Sequence, residues 1–229
     1  MNISRKRKIF MEKERKNMED DPREPEISRL NRIFRHTLPL ILASASPRRK
    51  ELLQHMGLIF QVIPSQIEEK DIPGTPERKA CIWAFQKAED VAKRHDGLII
   101  GADTIVVLEG KILGKPRDGT EAKEMLRRLS GCTHRVITGL AFIHTRSGQQ
   151  ISDFIESEVT FRALREDEMN DYIASGEPLD KAGAYGIQGK GGRFVIRVQG
   201  CYTNIIGLPV KSCLQSLRRI VGPDLDNGR

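Results

Sequence analysis

Aromatic residues make up only 5% of the 229 residues, and no apolar run approaches the roughly 20 residues that span a bilayer. A membrane protein is thereby excluded as an expectation, and the 30% charged content points to a soluble chain. The four cysteines, at 81, 132, 201 and 213, form no CxxC pair, and no nearby histidine completes a zinc pattern. Ordinary thiols in a reducing cytoplasm are the simplest account. Neither "GKILGKP" nor "GIQGKGG" satisfies GxxxxGK[ST], and no GxGxxG follows a strand, so the standard nucleotide fingerprints are missing.

What is present begins with charge. The net charge of +7 is unevenly placed, since residues 1–36 hold eleven Lys or Arg against seven Asp or Glu. The basic character belongs largely to this leader, so the charge is poor grounds for nucleic-acid binding by the body of the chain. The leader lacks the apolar core of a secretory signal, and its acidic residues argue against a mitochondrial presequence. Its polarity predicts a disordered extension over 1–36, followed by a single domain over 37–229. With Phe10 and Phe34 as its only aromatics, the leader offers no stacking platform for a nucleic acid.

Along the domain, periodicity and punctuation predict a strand at 40–43 and a helix from Ser46 that stops at Gly57. "LIFQVIP" alternates like a strand. Thr75 caps a predicted helix running to about His95, with Ala80, Ala84, Ala88 and Val91 on its inner stripe. "GLIIGADTIVVLEGKIL" reads as a buried strand, a break at Asp103, a second strand and a turn at Glu109-Gly110. A helix capped by Asp118 or Thr120, two long strands joined near Ser147-Gly148, and a short helix over 166–174 follow. A Gly-rich stretch, the strand "RFVIRVQG" and a last helix opening at Pro209 complete the chain. The mixture predicts an α/β fold with a mixed twisted sheet.

Several residues carry chemistry in this frame. "LILASASPRRKELL" places Ser46 at an N-cap and Pro47 at the first helical position. Arg48 and Arg49 then fall in the first turn, where the helix dipole disfavours cations. Together with Ser44 and the free N–H groups they form a candidate phosphate cradle, the alternative being arginines that face water. Asp103 interrupts an apolar run, where a carboxylate is costly unless it is paired, metal-bound or at the sheet's open edge, the alternative being a turn aspartate that bonds its own backbone. Glu68 and Glu69 lie in a polar loop, and with Asp103 they suggest Mg²⁺ ligands. Lys87 sits beside the buried stripe of its helix, and Lys115 is fixed between Gly114 and Pro116.

With those pieces in order, the chain resembles the Maf family of nucleotide pyrophosphatases over roughly 38–222. The resemblance rests on "LILASASPRRKELL", "IEE", "GADTIVVLEGKILGKPRD", "THRVITGLA", "LDKAGAYGIQGKGG" and "GLPV" in that order. It implies two lobes with a central cleft, related to the inosine-triphosphate pyrophosphatases, often in a homodimer. It also implies hydrolysis of a nucleoside triphosphate to the monophosphate and pyrophosphate, assisted by a divalent metal cation, Mg or Mn. Asp103 is then the proton acceptor, Ser44, Arg48 and Arg49 hold phosphates, Lys87 and Lys115 lie near them, and Glu68 is an active-site carboxylate and metal ligand with Asp103. The branch that acts on dTTP, UTP and modified pyrimidine triphosphates has Arg, Thr and Gln where this chain has Arg48, Thr104 and Gln188. The branch that prefers 7-methyl-GTP carries Trp, Gln and Glu there. A Gln amide offers both a donor and an acceptor to a uracil or thymine edge, whereas Glu accepts from guanine N–H groups. Because the family is also linked to septum formation and cell division, a nucleotide-binding regulator with weak hydrolysis is the alternative function.

Overall fold

The computed structural model describes residues 24–226. Seven helices and seven strands follow in the order α1 (Glu24–His36), β1 (Leu40–Leu42), α2 (Pro47–His55), β2 (Gln61–Val62), α3 (Pro76–Ala92), β3 (Leu98–Leu108), β4 (Lys111–Leu113), α4 (Gly119–Leu129), β5 (Thr133–His144), β6 (Gln150–Phe161), α5 (Glu166–Ala174), β7 (Val195–Gly200), α6 (Tyr202–Ile206) and α7 (Val210–Asp226). The sheet runs β2-β1-β3-β5-β6-β7, with β4 folded back onto β3. β1 is parallel to β2 and β3, and the remaining pairs are antiparallel, so the sheet is mixed as the sequence predicts.

Period-two alternation divides β3 between two cores. Leu98, Ile100, Ala102, Val106 and Leu108 turn toward a large cluster shared with α1, α2, α4, α5 and α7. Ile99, Ile105 and Val107 turn the other way, toward α3. Helix α3 starts as its sequence dictates: Thr75 Oγ1 accepts from the Arg78 N–H, Pro76 follows, and Glu77 sits in the first turn. Its alanine stripe then lets it lie directly on the strands. A Cβ added at Gly101 would stand 2.1 Å from the Ala84 carbonyl oxygen, and one at Gly139 would stand 2.2 Å from that of Ala80. Glycine on the sheet and alanine on the helix set the closeness of this contact.

Three expectations are corrected. The predicted break at Asp103 does not occur: β3 continues through it, because β5 pairs with β3 along the whole stretch and Asp103 stands opposite Gly139. The turn at Glu109 and Gly110 does form, both with positive φ of 50° and 74°, the geometry of a two-residue hairpin. The leader is helical from Glu24 to His36, and Leu30, Ile33 and Phe34 are buried in the main core. Asn31 adds a bridge, donating to the Gly57 carbonyl at 2.8 Å and accepting from the Ile59 N–H at 2.8 Å. Glu26 pairs with Arg218 of α7. The expectation of a disordered tail therefore fails over this helix, and for residues 1–23 it lies outside the described residues. Finally, helix α6 occupies a stretch where the sequence signals no element.

Candidate active site

An edge left partly bare creates the cleft. β1 pairs with β3 only over Leu98–Ile100, and the Ala43 N–H donates a further bond to the Ile100 carbonyl at 2.8 Å. β4 covers the same edge of β3 only from Val106. Between them, β3 has no partner on that side, and a cavity of about 670 Å³ opens there, beyond the carboxyl end of β1. Open α/β sheets bind ligands in this position. Asp103 and Thr104 are neighbours in sequence and face opposite sides of β3, yet both border the cavity because it wraps the bare edge.

Asp103 is buried at 5% exposure and faces α3. Lys87, one step round from the alanine stripe, reaches it: Nζ lies 2.5 Å from Asp103 Oδ1 and 2.6 Å from Glu69 Oε1. The close seating of α3 makes this reach possible. Removing one partner of such a buried pair costs about 3–5 kcal/mol, so the ammonium also supports the fold. Burial works to raise the Glu69 carboxyl, but Lys87, Lys115 and Arg49 outweigh it and hold the group below its ordinary value.

The two arginines of α2 part company. Arg48 extends across the cleft to Asp180, with 3.5 Å between Nη1 and Oδ2. Arg49 turns inward. Its Nη1 donates to Ser44 Oγ at 3.0 Å, its Nη2 to Thr104 Oγ1 at 3.1 Å, and its Nε to the Gly207 carbonyl at 2.9 Å. Burial draws this guanidinium below its ordinary value, and the fields of Asp103 and Glu69 oppose that. The network continues from Thr104 to Thr138 at 2.9 Å and from Thr138 to the Asn204 carbonyl at 3.1 Å. The unpredicted helix α6, with Gly207 that caps its end, thus supplies the acceptors that hold Arg49 and Thr138. Ser46 begins α2 without a side-chain cap, and its own N–H donates to Ser44 Oγ at 3.2 Å.

Of the predicted site residues, Ser44, Arg48, Arg49, Lys87, Asp103, Thr104, Lys115 and Gln188 all line this one cavity. Glu68 does not. The loop alternates, so that Ser65, Ile67 and Glu69 line the cavity and Gln66 and Glu68 do not. The period of two along "SQIEE" was the available signal for choosing Glu69. Asp180, Lys181 and Tyr185 also line the cleft, from the segment "LDKAGAYGIQGKGG". Tyr185 is braced by buried His134, with 2.9 Å between the hydroxyl and Nε2. Burial pushes His134 down to about 4, so its ring is neutral near pH 7.

No cluster of three or more His, Cys, Asp or Glu side chains arranged for a metal occurs among the described residues. Asp103 and Glu69 do converge, each within 2.6 Å of one ammonium. A pair of carboxylates suits a hard cation whose remaining ligands are phosphate oxygens and water.

A family model described as Maf-like protein matches residues 39–220. The chain belongs to the Maf family. A dTTP/UTP pyrophosphatase of Alkaliphilus oremlandii is 52% identical over 174 residues, covering 75% of this chain and 90% of that protein. Proteins of the same name from Thermoanaerobacter sp. (strain X514) and Clostridioides difficile are 45% and 44% identical. Those alignments cover 80% and 82% of this chain, and 96% and 98% of the relatives. The match to the Maf family excludes α1, which packs onto the family domain as an added element.

Proposed function

We propose that this chain is a nucleoside triphosphate pyrophosphatase that hydrolyses dTTP and UTP, and modified pyrimidine triphosphates, to the monophosphate and pyrophosphate. The observation that carries the reading is Asp103, a buried carboxylate at the bare edge of β3, in one cavity with Arg48, Thr104 and Gln188. The names borne by its relatives support the same reaction.

Asp103 accepts a proton from water as the water oxygen bonds to the α-phosphorus, and the bond from that phosphorus to the bridging oxygen breaks. Pyrophosphate leaves with the negative charge. Lys87 keeps the Asp103 carboxylate in one orientation, and Arg48 and Lys115 border the path of the phosphates with positive charge. Arg49 works mainly through the oxygens of Ser44 and Thr104 that it fixes. Asp103 and Glu69 would hold a divalent cation, Mg or Mn, which when bound neutralises charge on the phosphates. Gln188 reads the pyrimidine edge, offering a donor and an acceptor. The unpaired cysteines suit a reducing cytoplasm, and a homodimer belongs to the same proposal. The rival, a nucleotide-binding regulator with weak hydrolysis, is not favoured by a cleft that keeps its acid and cations.

Asp103→Asn tests the central role. The change is nearly isosteric, and Lys87 keeps Glu69 as a partner, so the fold survives. Turnover should fall by about 10²–10⁴-fold, the usual worth of a positioned general base. Near-normal turnover would remove Asp103 from the reaction.

A further inference from the structure

Gln188 lies in a segment, "GIQGKGG", that glycine should leave loose, since this residue gives up the most conformational freedom on ordering. A side chain that reads a base needs a fixed backbone. The segment's backbone is in fact tied at both ends. Before Gln188, the Gly186 N–H donates to the Tyr172 hydroxyl at 3.2 Å. After it, the Lys190 N–H donates to Glu177 Oε2 at 2.9 Å and the Gly191 N–H to Glu177 Oε1 at 3.3 Å. The two anchors are joined, because the Tyr172 hydroxyl donates to Glu177 Oε1 at 3.0 Å.

The glycines match the anchors. A Cβ at Gly189 would stand 2.1 Å from Glu177 Oε1, and one at Gly191 would stand 2.7 Å from the Tyr172 hydroxyl. They allow the loop to close on these two side chains. Tyr172 is fully buried, and Lys181 Nζ donates to the Glu177 carbonyl at 2.6 Å, so the anchors are themselves held. Neither Tyr172 nor Glu177 lines the cavity, whereas Gly186, Ile187 and Gln188 do.

We propose that Glu177, with Tyr172, is the positioning residue that fixes the pose of Gln188 and so sets the choice of base. This rests on the reading that Gln188 faces the base of a pyrimidine triphosphate. Glu177 touches no substrate and acts through the loop.

The test uses UTP and CTP, which differ at the base edge an amide reads. Pyrophosphate release gives kcat and KM for the wild type, Glu177→Ala, Glu177→Gln, Tyr172→Phe, Gln188→Ala and the Glu177→Ala/Gln188→Ala double variant. Glu177→Ala should lower the UTP-over-CTP preference by about tenfold, chiefly through a higher KM for UTP, because the amide that matches uracil is no longer held in place. Glu177→Gln, which keeps one carbonyl oxygen for the two N–H donors, should lose less. The double variant should show no lower preference than Gln188→Ala alone. If Glu177→Ala is too unstable to assay, Tyr172→Phe carries the same expectation through loss of one hydroxyl. Equal loss on both substrates, or losses of preference that multiply in the double variant, would overturn the positioning role. A wild type with no UTP-over-CTP preference would instead overturn the reading of Gln188 on which it rests.

Discussion

At the residue scale, Asp103 and Thr104 show how one strand serves two purposes. Alternation sends the carboxylate toward Lys87 and the hydroxyl toward Arg49, and the bare strand edge gives both to one cavity. His134 lies behind this wall and has a measurable consequence. Its ring is driven from 6.5 to about 4 by burial, so the unfolded chain takes up a proton that the folded chain refuses. The associated stability is fully present above about pH 6.5 and is lost as the pH falls toward 4, amounting to roughly 3 kcal/mol. Urea unfolding between those pH values should show this slope, and His134→Phe should flatten it. Parallel slopes in the two proteins would contradict the assignment. The chemistry-bearing types were legible at this scale, because a carboxylate in "LIIGADTIVV" and paired arginines after a proline conflict with local preference. The choice between Glu68 and Glu69 was harder, since two adjacent carboxylates in a polar loop differ only in which way the backbone turns them.

At the element scale, the seating of α3 decides whether Lys87 meets Asp103. Gly139 and Gly101 leave no room for a side chain beneath the helix, and what a Cβ would strike is backbone, which yields little. Gly139→Ala should therefore cost about 1–3 kcal/mol or more by overpacking and lift α3. Turnover should fall with the melting temperature, because Lys87 rides on the helix. A variant as stable and active as the wild type would contradict this contact. Helices α3 and α4 and the long β5–β6 hairpin were legible from caps, alanine spacing and alternation. The continuity of β3 was not, since a lone Asp reads locally as a turn and only β5 shows that the ladder carries on. Helix α6 was equally hidden: five residues fixed by tertiary hydrogen bonds leave no periodic trace.

At the scale of the whole molecule, α1 belongs to the core. It precedes the span matched by the family, yet Leu30 is fully buried. Leu30→Ala should lower stability by about 2–5 kcal/mol, the cost of a cavity in a packed core, with turnover unchanged because α1 does not border the cleft. A change within about 0.5 kcal/mol, typical of a surface position, would show that the helix is not packed there. Its sequence concealed this, because a short apolar stripe of Leu30, Ile33 and Phe34 is diluted by eleven basic residues in the leader. Pyrophosphate release by the full chain from dTTP, UTP, CTP, GTP and 7-methyl-GTP, with Mg²⁺ or Mn²⁺, tests the reaction and its base preference together. Fast release from dTTP and UTP, slow release from the purine triphosphates, and loss of both in Asp103→Asn are the predicted result. Preferred release from 7-methyl-GTP would contradict the roles given to Arg48, Thr104 and Gln188, and no release from any of the five would contradict the reaction itself.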